Sequence, residues 1–132
     1  MDLDLAALAA SMPFAVALGI DIVSAAPDEV VGRMAWAEER CTTGSIVHGG
    51  ALMAFADTLG ALAAFLNLPE GALTTTIESK TNFFRALTEG HATGTTTPLH
   101  VGRTTIVVQT DVRNDAGKRL TLVTQTQAVL RA

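Results

Sequence analysis

Residues 51–66 most constrain what this chain can fold into. Leu52, Met53, Phe55, Leu59, Leu62, Phe65 and Leu66 are apolar, alanines fill most gaps, and the only charge is Asp57. A helix apolar on every side has no face to offer water, so it must sit in a core or in a membrane. The run falls short of the roughly 20 residues needed to span hydrocarbon. An Asp at mid-span would oppose insertion by about 2.5–3.5 kcal/mol, and Gly60 weakens the segment as a free-standing helix. The segment therefore reads as the buried central helix of a globular domain. A carboxylate inside such a helix is costly unless it is paired, hydrated or used in chemistry. Asp57 is the first functional candidate for that reason.

The rest of the chain supplies the layer that covers the helix. Residues 2–10 form a short amphipathic pattern with acids at its start, and residues 13–18 add a second helical piece. Residues 20–24 and 29–37 read as strands around the turn Ala26-Pro27-Asp28. In the second, Val30, Gly32, Met34 and Trp36 share one side. Residues 38–45 are polar and without periodicity, which predicts a loop. Leu68-Pro69-Glu70-Gly71 ends the long helix. Strands follow over 73–84, 91–100, 104–113 and 120–130, with Glu89-Gly90 and Asn114-Asp115-Ala116-Gly117 at turns. In the last, Leu120, Leu122, Thr124, Thr126, Ala128 and Leu130 share a face. The reading is α+β: two strands, one long helix, then four strands in a meander, with the sheet wrapped around the helix. One sheet and one helix leave a strand edge and a sheet face open, which predicts self-association.

The 132 residues fit one domain, residues 1–132. A net charge of −4 provides no basic face for nucleic acid. Cys41 is the only cysteine, which allows no internal disulfide and suits a reducing compartment. The N-terminus carries acids where a secretory signal carries bases, so the protein is expected to be cytoplasmic and not bound to a membrane.

His48-Gly49-Gly50 stands immediately before the long helix. Helix N-termini leave backbone N–H groups unpaired and partly positive, and glycines admit a ligand close to that backbone. An amide of Gly49 or Gly50 is suited to polarising a carbonyl oxygen. Asp57 lies two turns further on, as a general base for water or as a nucleophile. An amide plus a carboxylate suffices for acyl transfer without a metal, and His91 and His100 have no partner at metal-ligand spacing.

A His-Gly-Gly followed by a helix with an acid nine positions after the His resembles the hotdog-fold acyl-CoA thioesterases, of the phenylacetate-degradation and 4-hydroxybenzoyl-CoA types. Ser79-Lys80-Thr81-Asn82-Phe83-Phe84-Arg85, Glu89-Gly90-His91, His100-Val101-Gly102-Arg103-Thr104-Thr105 and Asn114-Asp115-Ala116-Gly117 fall where that family has similar segments. The resemblance implies a hotdog fold and hydrolysis of an acyl-CoA, aromatic or medium-chain, with coenzyme A as part of the substrate and no other cofactor. By position, Asp57 matches the base or nucleophile. Gly49 matches the glycine whose amide polarises the thioester, and His48 matches the supporting His. In such enzymes amide and acid come from different subunits of a homodimer, and dimers usually pair into a tetramer. Six residues before the His the family has Asn or Gln, where this chain has Thr42, whose hydroxyl reaches less far than an amide.

Further candidates for the substrate are Gly50, Phe83, Arg103 and Thr104. Arg103, with Lys118 and Arg119, suits the coenzyme A phosphates, and a solvated face accounts for these cations equally well. Phe83 and Phe84 must point to opposite faces, one to the core and the other to an acyl pocket or an interface. Asp57 as a structural carboxylate paired to an arginine or capping a neighbouring segment, and His48 as a satisfied N-terminal histidine, are the alternatives to their roles in chemistry. Cys41, seven residues before His48, suits packing better than a Cys–His nucleophile. Two other functions share the scaffold: a hotdog acyl-thioester dehydratase or hydratase, and a non-catalytic acyl-CoA binding module.

Overall fold

The computed structural model describes residues 3–131. Two short helices, α1 (Leu5–Ala10) and α2 (Pro13–Ala17), lead into β1 (Ile20–Ala26) and β2 (Glu29–Ala35). The Asp4 carboxylate caps α1 by accepting the Ala7 N–H at 3.0 Å. Asp2, read as part of this helix, lies outside the described residues. After β2 come a 3₁₀ turn (Glu38–Arg40), a two-residue ribbon β3 (Cys41–Thr42) and β4 (Ile46–Val47), and the long helix α3 (Gly49–Leu66). Four strands complete the chain: β5 (Leu73–Phe83), β6 (His91–Val101), β7 (Thr105–Arg113) and β8 (Arg119–Leu130).

Six strands form one antiparallel sheet in the order β1-β2-β6-β7-β8-β5, curved around α3. This is the α+β architecture that the apolar run requires. It corrects the four-strand meander. Only β6, β7 and β8 run as neighbours; β5 pairs with β8 at the far edge. Residues 84–90 make no tight hairpin. They carry Leu87 into the core at 1% exposure, and its carbonyl accepts the Val47 N–H at 3.0 Å. Anchored there, the chain delivers β6 beside β2 and leaves β5 with one strand neighbour. The predicted loop 38–45 is likewise partly ordered, because Cys41 and Thr42 pair with Val47 and Ile46.

The core lies between the sheet and α3, where Leu52, Phe55, Ala56 and Leu59 are 2% exposed or less. Each large side chain contributes about 1.5–3 kcal/mol on leaving water. The helix sits close to the sheet because two glycines make a notch. Gly32 of β2 pairs with Gly94 of β6. A Cβ on either would come within 2.5 or 2.6 Å of a Leu59 methyl, and one on Gly94 would also meet the Phe55 ring at 3.1 Å.

The expectation of a helix buried on every side is also corrected. Met53 is 39% exposed and Phe65 57%, and Asp57 between them is exposed. One sheet covers one side of a helix, and the stripe 53, 57, 61, 65 turns away from it. Exposed apolar side chains on either side of one carboxylate suit an interaction surface. The helix has a mean hydropathy of 1.6, but half of it lies inside the fold, which makes it a core helix.

Candidate active site

Three elements meet at the start of α3. His48 is its N-cap, and its Nδ1 accepts the Gly50 N–H at 2.8 Å. Its own N–H donates to the Arg40 carbonyl at 2.9 Å, which ties the cap to the preceding turn. The Ala51 and Leu52 N–H groups donate to the His48 carbonyl. Among the described residues this leaves the Gly49 N–H as the first-turn donor without a partner. Of the two amides considered from sequence, Gly50 is engaged and Gly49 is available.

Gly49 lines a shallow cleft of about 360 Å³ with Thr42, Leu52, Phe83, Phe84 and Arg85. The Phe83 ring lies across it, with Cε1 at 3.2 Å from where a Gly49 Cβ would stand. Phe83 pairs in register with the buried Thr121, so it points to the helix side of the sheet. Thr42 sits on β3 at the rim, as an exposed hydroxyl.

Asp57 lines a separate cleft of about 340 Å³ with Leu8, Met12, Thr58, Ala61, Leu62 and Phe65. Its carboxylate meets no arginine among the described residues, which removes the structural ion pair as its role. Its contact is instead an amide: Gln125 Nε2 donates to Asp57 Oδ1 at 2.5 Å. The eight residue steps from Gly49 to Asp57 correspond to about 12 Å along a helix. One carbonyl group cannot touch both within one chain, since a donor and an attacking oxygen must each lie about 3 Å from it.

Arg103 and Thr104 are not brought to Gly49 in the single chain. Their carbonyls accept bonds from Arg131 and from Val129 near the end of β8, whereas Phe83 pairs with Thr121 near its start. Arg119 is engaged elsewhere. It and Arg113 each donate to Asp111 at 2.9 Å on the sheet face opposite α3. Burial pushes the Asp111 carboxyl up, but the hydrogen bonds from Arg119 and Arg113 outweigh it and hold the group below its ordinary 3.8. The same contact raises Arg119 above its ordinary value. Cys41 donates to the Ala37 carbonyl at 3.3 Å and packs against the core.

The thioesterase superfamily model matches residues 44–121, more than half of the chain. This chain belongs to that superfamily. The sheet and central helix superpose on a thioesterase of Haemophilus influenzae with a TM-score of 0.91 at 27% identity, covering 99% of this chain and 93% of the other. A mutant thioesterase of Pseudomonas aeruginosa gives a TM-score of 0.93 at 27% identity, covering 100% and 97%. The proofreading thioesterase EntH of Cronobacter sakazakii is 32% identical over 74 residues, 56% of this chain and 54% of that protein. An esterase-named protein of Vibrio cholerae is 37% identical over 87 residues, 66% of this chain and 58% of its own length. The chain thus spans little more than half of these two relatives. The superfamily acts on thioesters and is typically oligomeric, which agrees with an unpaired sheet edge and an uncovered helix stripe.

In this member of the superfamily, Gln125 is the neighbour of the candidate residue Asp57 that sequence reasoning missed. It faces α3 from β8, 1% exposed, together with Gln127. The signal was present as parity: Gln125 and Gln127 alternate in step with Val123 and Val129. The opposite face, with its leucines, drew the reading because it is more apolar. The inward face is nevertheless Thr121, Val123, Gln125, Gln127 and Val129.

Proposed function

We propose that the protein hydrolyses acyl-CoA thioesters to a carboxylic acid and free coenzyme A, at sites shared by two subunits. The subtype that fits is the phenylacetate-degradation type, active in the cytoplasm as a dimer of dimers. The observation that carries this reading is the separation of an available Gly49 amide from an Asp57 carboxylate beside an apolar cleft. The two are too far apart to serve one carbonyl in one chain. Both lie on surfaces that a second copy would cover.

In this mechanism the Gly49 N–H of one subunit donates to the thioester oxygen and stabilises the charge that develops there. Such a donor is worth about 10²–10³ in rate. His48 holds the first turn rigid through Gly50. Asp57 of the partner takes a proton from water, whose oxygen adds to the carbonyl carbon. The carbon–sulfur bond breaks with its electron pair on sulfur, and the thiolate takes the proton from Asp57. Attack by Asp57 itself, with hydrolysis of the resulting anhydride, uses the same groups. Thr42 steadies the water or the thioester from the rim of the Gly49 cleft. Leu8, Met12, Ala61, Leu62 and Phe65 offer the acyl chain an apolar wall, which suits aromatic or medium-chain groups. Arg103 and Thr104 of a neighbouring subunit are the candidates for the coenzyme A phosphates.

The test is thiol release over a panel of acyl-CoA substrates with Asp57→Asn as the paired variant. General-base loss should lower kcat by about 10²–10⁴. Equal turnover by the variant would eliminate the mechanism even if the activity were real.

A further inference from the structure

We propose that Gln125 is the positioning residue for Asp57, holding one carboxylate oxygen so that the other is presented to the substrate. This rests on the thioesterase reading above. The amide is fixed on both of its hydrogens: Nε2 donates to Asp57 Oδ1 at 2.5 Å and to Thr76 Oγ1 at 3.3 Å. Turning the amide over would set its oxygen against the carboxylate and leave the Thr76 hydroxyl without that donor, so the network decides the orientation.

The support continues along the sheet. Gln127 Nε2 donates to the same Thr76 oxygen at 2.7 Å, and Thr74 Oγ1 donates to Gln127 Oε1 at 3.0 Å. Asp57 thus stands at one end of a polar string that runs from α3 through the buried Gln125 and Gln127 of β8 to Thr76 and Thr74 on the edge strand β5, where Thr76 is exposed. A buried side-chain amide is normally paired at every atom. Gln125 Oε1 is buried and has no partner among the described residues. It lies against Gly60, where a Cβ would displace it; the same Cβ would come within 2.9 Å of Gln125 Cδ and 3.3 Å of a Val108 methyl. A glycine in the middle of a helix is less favourable than alanine, and a buried carbonyl left without a donor is costly. Two such sacrifices converge on one amide whose donors face Asp57. Packing alone would be better served at this position by leucine or methionine, whereas a fixed carboxylate has need of a donor.

Gln125 touches Asp57 and not the substrate, so its removal should act on kcat with little change in KM. Gln125→Met keeps the volume and removes the donor. The expected result in the acyl-CoA thiol-release assay is a fall in kcat of about 10- to 100-fold with KM within about threefold, the scale set by misplacing a reacting group. Wild-type kcat in Gln125→Met, alongside an inactive Asp57→Asn, would overturn the inference and leave the thioesterase reading standing. A KM effect alone would overturn it too. A second measurement needs neither turnover nor a folded Gln125 variant. In ¹⁵N-labelled protein, one Gln125 side-chain amide proton should resonate far downfield and move upfield in Asp57→Asn. An unshifted resonance refutes the contact. If the wild-type protein releases no thiol from any acyl-CoA, the thioesterase reading falls, and the amide resonance alone decides the Asp57–Gln125 pairing.

Discussion

Replacing Gly60 by alanine should reverse the usual effect of that substitution. In a helix interior Gly→Ala ordinarily stabilises by about 1 kcal/mol. At Gly60 the new methyl would occupy the place of Gln125 Oε1 and approach Gln125 Cδ at 2.9 Å and Val108 Cγ2 at 3.3 Å. Gln125 has nowhere to retreat, since it is 1% exposed and Val108 is fully buried. Overpacking of this kind costs about 1–3 kcal/mol. Displacing the amide also breaks its hydrogen bond to Asp57. Because Asp57 is exposed, the low end of the range for a charged partner applies, about 1.5 kcal/mol. The balance is a net loss of roughly 1.5–3.5 kcal/mol, which for a chain of this size lowers Tm by about 10 °C. The assay is thermal unfolding by circular dichroism at one fixed protein concentration, with wild type alongside. A Tm equal to or above wild type would mean that the amide moves freely, and the packing argument would then be wrong.

Mixing subunits tests the shared site directly: co-expressed Asp57→Asn and His48→Ala chains should form mixed dimers whose thiol release exceeds that of either parent, and no recovery would place amide and acid in one chain. Leu59→Ala should lower stability by about 2–5 kcal/mol in a denaturant titration, because the leucine fills the notch over Gly32 and Gly94. For Asp111 the folded-state value lies below the ordinary 3.8, so its stabilisation is present above that pH and is lost as pH falls through the lowered value. Asp111→Asn should therefore unfold at slightly lower temperature than wild type at pH 7, and the two melting curves should converge as pH drops below about 4. A gap that persists in acid would assign the difference to packing.

What could be read in the sequence was local. The long helix announced itself by composition, Asp57 stood out as the one charge in an apolar helix, and His48 and Gly49 stood out by their place at its N-terminus. Pairing partners far apart in the chain were another matter. Strand β5 has the same alternation whether its neighbour is β6 or β8, and only the anchoring of Leu87 under the β5–β6 connection decides between them. The stripe of Met53, Ala61 and Phe65 looks like core because apolar residues on an uncovered face and apolar residues in the interior share one chemistry. Gln125 was hidden for the opposite reason. It is polar and its strand face is mixed, so hydrophobic parity points away from the face that meets the helix. Cys41 and Thr42 form a ribbon too short to show any period.

Strand β5 has one further consequence. It borders the sheet with a single strand neighbour, yet Thr76 on it steadies the amide beside Asp57, and Phe83 on it shelters Gly49. Sliding β5 by a single position against β8 would swing both side chains to the outside together. If the proposed second copy docks along this edge, the same register that aligns the assembly also sets the amide and the carboxylate proposed to act together.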